Sequence, residues 1–266
     1  MRFEQKISVE QVNRKAIDIL AEAVPTLSRQ KLKQAMDKGA VWIKKGKGEQ
    51  RLRRATKVVS PPQSLHIYYD DTLLAKQAPT PELIADLQHY SVWNKPAGLL
   101  SQGTPFGDHC SLLRVTEKYF QQTRQVFLVH RLDAEACGLM LIAHNRQAAA
   151  QLSDLFKRQQ VIKRYCVQVE GVMEAGEINS PINGKAACTV IESVKHLDAT
   201  ISELLVQIKT GRKHQIRRHF SALGHPVIGD KKYGSARPEQ ALQLRAIEIS
   251  FNCPLTKQAQ QFQLPK

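Results

Sequence analysis

From Tyr90 to Ser250 the apolar stretches follow no regular alternation of strand and helix, and this limits the possible folds more than any other feature of the chain. Period-two runs predict strands at 90–94, 125–129, 139–144, 162–170, 189–194, 203–209 and 242–250. Period-3.6 runs predict helices at 112–122, 146–160 and 214–223. A doubly wound parallel sheet needs a crossover helix between successive strands, whereas here strand often follows strand directly. The expected class is α+β, with helices and loops flanking a mixed, largely antiparallel sheet.

Upstream lies a smaller block of different character. Residues 29–57 hold eleven Lys/Arg against two acids, Asp37 and Glu49, a balance of +9 in 29 residues. After a helix expected over 12–23, Ser28 is placed to cap a second one that buries Leu32, Ala35 and Met36 and stops at Gly39. Strands at 40–43 and 65–69, the loop KKGKGEQ and a Pro61-Pro62 turn complete a small α/β module over residues 1–70. The stretch DDTLLAKQAPTPE, with two prolines and no periodicity, reads as a linker over 71–84, and the second domain then covers 85–266.

The whole chain carries 39 Lys+Arg against 24 Asp+Glu, a net +15, which favours a polyanionic partner. Nucleic acid fits better than a membrane, because the best apolar run, GLMLIA at 138–143, is far shorter than the roughly 18 residues of a spanning helix. The N-terminal MRFEQKISVEQVNRK has no apolar signal core, and Cys110, Cys137, Cys166, Cys188 and Cys253 are odd in number with no C-x-x-C. Reduced thiols and a cytoplasmic location are therefore expected, with no membrane partner. His214, His219 and His225, spaced by five and six, do not share a helix face as metal ligands would. Gly46-x-Gly48 lacks a third glycine and no phosphate-loop motif occurs, so neither a metal nor a small-molecule cofactor is expected.

The stretch FLVHRLDAEACGLMLIAHN at 127–145 puts His130-Arg131-Leu132-Asp133 just beyond an apolar strand, where polar side chains are placed for chemistry. Alone, Asp133 reads equally well as a turn carboxylate paired with Arg131. The stretch KTGRKHQIRRHFSALGHPVIGDKKYG at 209–234 opens a basic helix that alone would be a solvated face. With Asn94-Lys95-Pro96-Ala97-Gly98 before them and Lys163-Arg164-Tyr165 between, these stretches closely resemble, in motif order across about 91–250, the RluA-type family of RNA pseudouridine synthases. The basic N-terminal block resembles the small S-four-type RNA-binding domain often fused to these enzymes.

The resemblance implies that the chain isomerises uridine to pseudouridine in structured RNA, without a cofactor. It makes Asp133 of HRLD the essential aspartate, Tyr165 the base-stacking tyrosine, Arg217 of HQIR the basic partner of the aspartate, and Arg131 the arginine implicated in flipping the base. His130, Lys95, Arg212 and Lys213 beside the motifs, and Arg29, Lys31, Lys33, Lys44, Lys45, Arg53 and Arg54 in the module, are the further expected RNA contacts. Large-subunit ribosomal RNA ranks first as substrate, because the appended module often accompanies it in this family, and transfer RNA ranks second. Two departures touch fine specificity: Ala136-Cys137 where the family commonly shows Thr-Ser, and Arg212-Lys213 where it often shows Arg-Thr.

The chemistry is consistent with those residue types. Breaking a glycosidic C–N bond and rejoining the base through carbon changes neither oxidation state nor composition. A carboxylate can act as nucleophile or stabilise positive charge developing on the sugar, and a nearby arginine favours its ionised form. An aromatic ring offers the extruded base a stacking surface. A non-catalytic RNA-binding or ribosome-assembly factor of the same fold is the alternative, opposed by the joint presence of Asp133, Tyr165 and Arg217. An RNA methyltransferase carrying the same module would need a Gly-rich cofactor turn, and the chain has none.

Overall fold

The computed structural model describes residues 1–265. It divides into two compact units, one of residues 1–78 with 102–115, the other of residues 79–101 with the chain from 116 onward. Among the described residues no helix is long and apolar enough to cross a membrane.

In chain order, the first unit contains β1 (Arg2–Ser8), β2 (Arg14–Lys15), α1 (Ala16–Ala23), α2 (Arg29–Asp37), β3 (Val41–Lys45), β4 (Gly48–Arg51), β5 (Val58–Val59), β6 (Ser64–Asp70) and α3 (Asp71–Ala75). An antiparallel sheet ordered β1-β6-β3-β4 carries the core, and β2 pairs with β5. Helix α2 forms as the sequence predicts: the Ser28 hydroxyl accepts from the Lys31 N–H at 3.3 Å, and Leu32, Ala35 and Met36 are buried. Helix α1 is shorter than expected, because Asn13 takes a left-handed φ of 60° and Arg14–Lys15 join β5. The segment KKGKGEQ is a β3–β4 hairpin rather than an open loop.

The linker expected over 71–84 is partly helical. The Asp70 carboxylate caps α3 by accepting from the Leu73 N–H at 3.0 Å, so the unit continues past residue 70. Residues 102–115, which local pattern assigned to the second domain, join the first unit through Asp108, whose carboxylate receives both Arg51 and Arg53. Pairs this far apart in sequence leave no mark on local periodicity.

The later elements are β7 (Glu82–Asp86), β8 (Tyr90–Lys95), α4 (Leu112–Tyr119), β9 (Phe127–Leu128), β10 (Cys137–Ala143), α5 (Arg146–Lys157), β11 (Ile162–Glu170), β12 (Gly176–Ile178), β13 (Thr189–His196), β14 (Ile201–Ile208), α6 (Gln215–Ala222), β15 (Leu244–Asn252) and β16 (Ala259–Gln263). Together the fold is α+β. The large sheet runs β12-β13-β14-β11-β15-β10-β8-β7, with β16 on β15 and β9 on β10, and every pair is antiparallel except β10 with β15. Strands β1, β7, β12 and β16 were not expected, since RFEQKIS, GEI and AQQFQ are largely polar, ELIAD is a three-residue apolar run beside a proline-rich stretch, and all four take their strand form from a paired neighbour. Helix α5 buries Ala148 and Leu152 in the cluster formed by Tyr90, Val92, Leu139 and Leu141.

One register determines where chemistry is possible. Tyr165 of β11 and Gly138 of β10 both pair with Ala246 of β15, from opposite sides. A β-bulge falls on this pairing between Arg164 and Tyr165, its extra residue being Ile247 of β15, so the alternation of β11 is kept and the tyrosine stays on its buried face. Gly138 has φ 113°, and a Cβ there would lie 2.1 Å from the Ala246 carbonyl oxygen, so only glycine lets the two strands approach this closely. The loop that precedes β10, with Asp133 in it, thus enters the sheet at the level of Tyr165.

Candidate active site

The Asp133 loop is held by its backbone on both flanks. Ser101 clasps Leu132, its hydroxyl donating to the Leu132 carbonyl at 2.7 Å and accepting from the Leu132 N–H at 3.0 Å. The Gly98 N–H donates to the Ala134 carbonyl at 2.8 Å. Fully buried Lys95 donates to the carbonyls of Ala136 at 2.6 Å, Leu99 at 2.8 Å, Pro96 at 3.0 Å and Ala134 at 3.2 Å. Ala136 thus contributes through its carbonyl, which no side-chain departure at that position removes. With every neighbour tied, the Asp133 carboxylate has little freedom to move.

The second half of the site is Arg217 on α6, whose side chain is 4 % exposed. Asp230 grips it bidentately, Nε to Oδ2 and Nη2 to Oδ1, both at 2.7 Å. That leaves Nη1 to reach Asp133 Oδ2 at 3.2 Å and Glu135 at 3.5 Å. Burial works against the guanidinium charge, but the hydrogen bonds and field of Asp230, then of Asp133, outweigh it and hold the proton more tightly than usual. Asp230 is fully buried, and although burial opposes its charge, Arg217 and the N–H groups of Lys232 and Tyr233 keep its carboxyl below the usual range. Gly229 makes room for this turn, since a Cβ there would meet the Ala241 carbonyl oxygen at 2.4 Å.

His214 completes the ring around the carboxylate. It precedes α6 with a left-handed φ of 54°, a conformation costly for a non-glycine residue, and this turns its Nε2 to within 3.6 Å of Asp133 Oδ1. Its Nδ1 meets the Tyr233 hydroxyl at 2.9 Å. Burial is the main cause lowering its pKa, Asp133 opposing and Arg217 assisting. Gln215 fixes the preceding loop, its carbonyl oxygen accepting from Thr210 at 2.7 Å and from the Arg212 N–H at 3.0 Å. Tyr165, buried on β11, has its hydroxyl pKa pushed up by burial and then by the Asp133 charge.

These groups line one cavity of about 650 Å³, which holds Asp133, Tyr165 and Arg217 together with Arg131, His130, Arg212 and Lys213. The volume suits one extruded nucleotide. Arg131 and Lys213 are exposed at its mouth. Arg212 is half-buried and donates from Nε to the Ala186 carbonyl at 2.9 Å.

Three residues expected to touch RNA are instead used inside the protein. The ammonium of Lys95 is consumed by backbone carbonyls. His130 accepts from the Leu141 N–H at 2.9 Å and stacks on Phe156 at 4.3 Å, and burial drops its pKa to about 3, so it brings no positive charge to the cavity. Arg53 pairs with Asp108 and donates to the Asp37 carbonyl at 2.7 Å. All three lie in basic or motif-rich stretches, where residue type does not reveal which cations face inward. Lys31, Lys33, Lys44, Lys45 and Arg54 are exposed, and Arg29 is exposed while paired with Asp18 at 2.8 Å. Asp230, Ser101 and the carboxylate-facing role of His214 were not predicted, and only the Gly229-Asp230 pair closing its motif was a usable signal. The three histidines considered as ligands separate: His219 bonds Thr189 and Ser180, and His225 the Glu170 carbonyl.

The cavity thus brings together a carboxylate, a buried arginine directed at it and a tyrosine. The sequence pattern of the RNA pseudouridylate synthase family matches residues 89–222. An uncharacterised RNA pseudouridine synthase of Aquifex aeolicus is 31% identical over 85% of this chain and 79% of its own length. The ribosomal large subunit pseudouridine synthase C of Rickettsia felis is 32% identical over 81% of this chain and 80% of its own length. The dual-specificity RNA pseudouridine synthase RluA of Vibrio vulnificus is 33% identical over 66% and 79%. Human RNA pseudouridylate synthase domain-containing protein 1 shares the fold, with TM-score 0.57 at 24% identity over 70% of this chain and 84% of its own. The chain belongs to the RNA pseudouridylate synthase family, in its RluA-type branch, and is an isomerase.

Proposed function

We propose that this enzyme converts specific uridines of large-subunit ribosomal RNA, with transfer RNA as a second substrate class, using Asp133, Tyr165 and Arg217. The observation that carries the assignment of roles is the Arg217 fork, gripped by Asp230 on one edge and directed at Asp133 on the other. Asp133 acts at the ribose carbon as the C–N bond breaks, Arg217 holds its carboxylate charged and oriented, and Tyr165 supports the extruded base. Arg131 at the mouth promotes extrusion by meeting the displaced backbone. The substrate assignment is supported by relatives whose names specify the ribosomal large subunit, and by one named dual-specificity.

The first unit serves as the RNA-gripping module, its exposed Lys31, Lys33, Lys44, Lys45, Arg29 and Arg54 meeting phosphates. This reading is supported by the +9 balance of residues 29–57. Among the described residues the five cysteines form no disulfide, which supports a reducing, cytoplasmic setting. The deciding experiment maps pseudouridine by chemical labelling in ribosomal and transfer RNA from cells with the wild-type protein, without it, and with Asp133→Asn. Sites lost in the deletion and not restored by Asp133→Asn are expected in large-subunit RNA. Restoration by the variant would remove Asp133 from the mechanism.

A further inference from the structure

The cavity contains a buried cation with no hydrogen-bond or ion-pair partner among the described residues. Lys163 stands two residues before Tyr165 on β11, so both side chains leave the same face of the strand, and both are nine-tenths buried, at 9% and 8% exposure. Lys163 lines the cavity, yet among the described residues its ammonium makes no hydrogen bond or ion pair. The contrast with Lys95 is direct, since that fully buried amine meets four backbone carbonyls. An ammonium removed from water without a partner costs stability, and burial alone brings the Lys163 pKa down to about 8. Its charge also opposes protonation of neighbouring His130.

Exposed Arg131 and Lys157 occupy the mouth of the same cavity. A phosphodiester backbone is met there, in contact with solvent. What reaches a buried floor beside Tyr165 is the extruded base. We propose that Lys163 is a catalytic residue whose ammonium donates to a carbonyl oxygen of the extruded uracil and stabilises the negative charge that gathers on the base as it leaves the ribose. The inference rests on the cavity of Asp133, Tyr165 and Arg217 being the catalytic one.

When the bond between C1′ and N1 breaks, its electron pair departs with the base and spreads over N1 and the two carbonyl oxygens. Lys163 then gains the anionic partner it lacks beforehand, so its interaction strengthens toward the transition state. As C5 bonds to C1′ that pair is consumed, C5 releases its proton and N1 takes one up, leaving an isomer of the starting nucleotide.

The test compares full-length wild type, Lys163→Met and Lys163→Arg on large-subunit ribosomal RNA transcribed with uridine tritiated at C5, by tritium release and filter binding. Lys163→Met is expected to lower kcat about 100-fold, the effect typical of losing one charge-stabilising donor, with RNA Kd within about twofold. Its thermal midpoint should rise, because a buried unpaired charge has been replaced by an apolar chain of similar length. Lys163→Arg should retain more activity than Lys163→Met. A kcat for Lys163→Met within tenfold of wild type, a loss confined to Kd, or equal loss in both variants with a lowered midpoint would each overturn the proposal. Asp133→Asn run alongside separates the two levels. If it is inactive while Lys163→Met is active, Lys163 alone is removed; if it is active, the cavity assignment falls and Lys163 with it.

Discussion

Replacing Asp230 by Asn removes one charge and almost no volume, and it strikes the group that aims Arg217. The carboxylate is fully buried and makes two 2.7 Å hydrogen bonds to a guanidinium that is 4 % exposed. Breaking a buried pair by deleting one partner typically costs about 3–5 kcal/mol, since the other charge is left uncompensated. Here the lower end is expected, about 3 kcal/mol, because Nη1 keeps Asp133 at 3.2 Å and the Asn oxygen still accepts one bond.

The chain has two tryptophans, Trp42 in the first unit and buried Trp93 in the second, so a Trp42→Phe background makes fluorescence report the second unit alone. With a urea slope of roughly 2 kcal/mol per molar, the Trp93 midpoint should fall by about 1.5 M. Asp230 has a folded pKa below its unfolded 3.8, so its contribution is fully present above that value and is lost as pH falls through the folded pKa. The gap between the two proteins should stay constant from pH 7 to about 5 and narrow only below 3.8. A midpoint shift under about 0.3 M, or a gap that narrows already near neutral pH, would refute the reasoning.

Three further outcomes follow from the same geometry. Asp133→Asn should abolish tritium release while leaving RNA affinity nearly intact in filter binding, because one carboxylate adds little to a contact dominated by phosphate charge. Lys95→Met strips the donor from several buried carbonyls and should destabilise the second unit by about 2 kcal/mol in urea titration. It should also lower kcat more than tenfold at unchanged Kd, since what fails is the placement of Asp133. Changing Lys31, Lys33, Lys44 and Lys45 together to Gln should reduce the slope of log affinity against log salt by roughly 3, with kcat at saturating RNA unchanged. An unaltered slope would show that the basic face does not meet phosphate.

Much of this protein was legible in its residues. The irregular order of strands and helices excluded a parallel doubly wound sheet, and Ser28, Leu32, Ala35, Met36 and Gly39 specified α2 from cap to stop. The motifs around Asp133, Tyr165 and Arg217 singled out three residues that the structure gathers in one cavity. These are local or motif-carried signals, in which a residue type at a given spacing has one dominant physical use.

Tertiary structure decided which charges are available. Lys95, His130 and Arg53 looked like RNA contacts, yet each is consumed by a partner on another segment: carbonyls of the Asp133 loop, the Leu141 N–H of β10, and Asp108. Lys163 is the converse, a motif neighbour buried in the cavity with no hydrogen-bond or ion-pair partner among the described residues. Composition counts cations, but whether a cation faces solvent, a carbonyl cage or a cavity depends on contacts made only in the folded chain. The same holds for the boundary near residue 70, since Arg51 and Arg53 draw residues 102–115 into the first unit through Asp108. Charge is written in the sequence, whereas its burial and pairing exist only once the chain has folded.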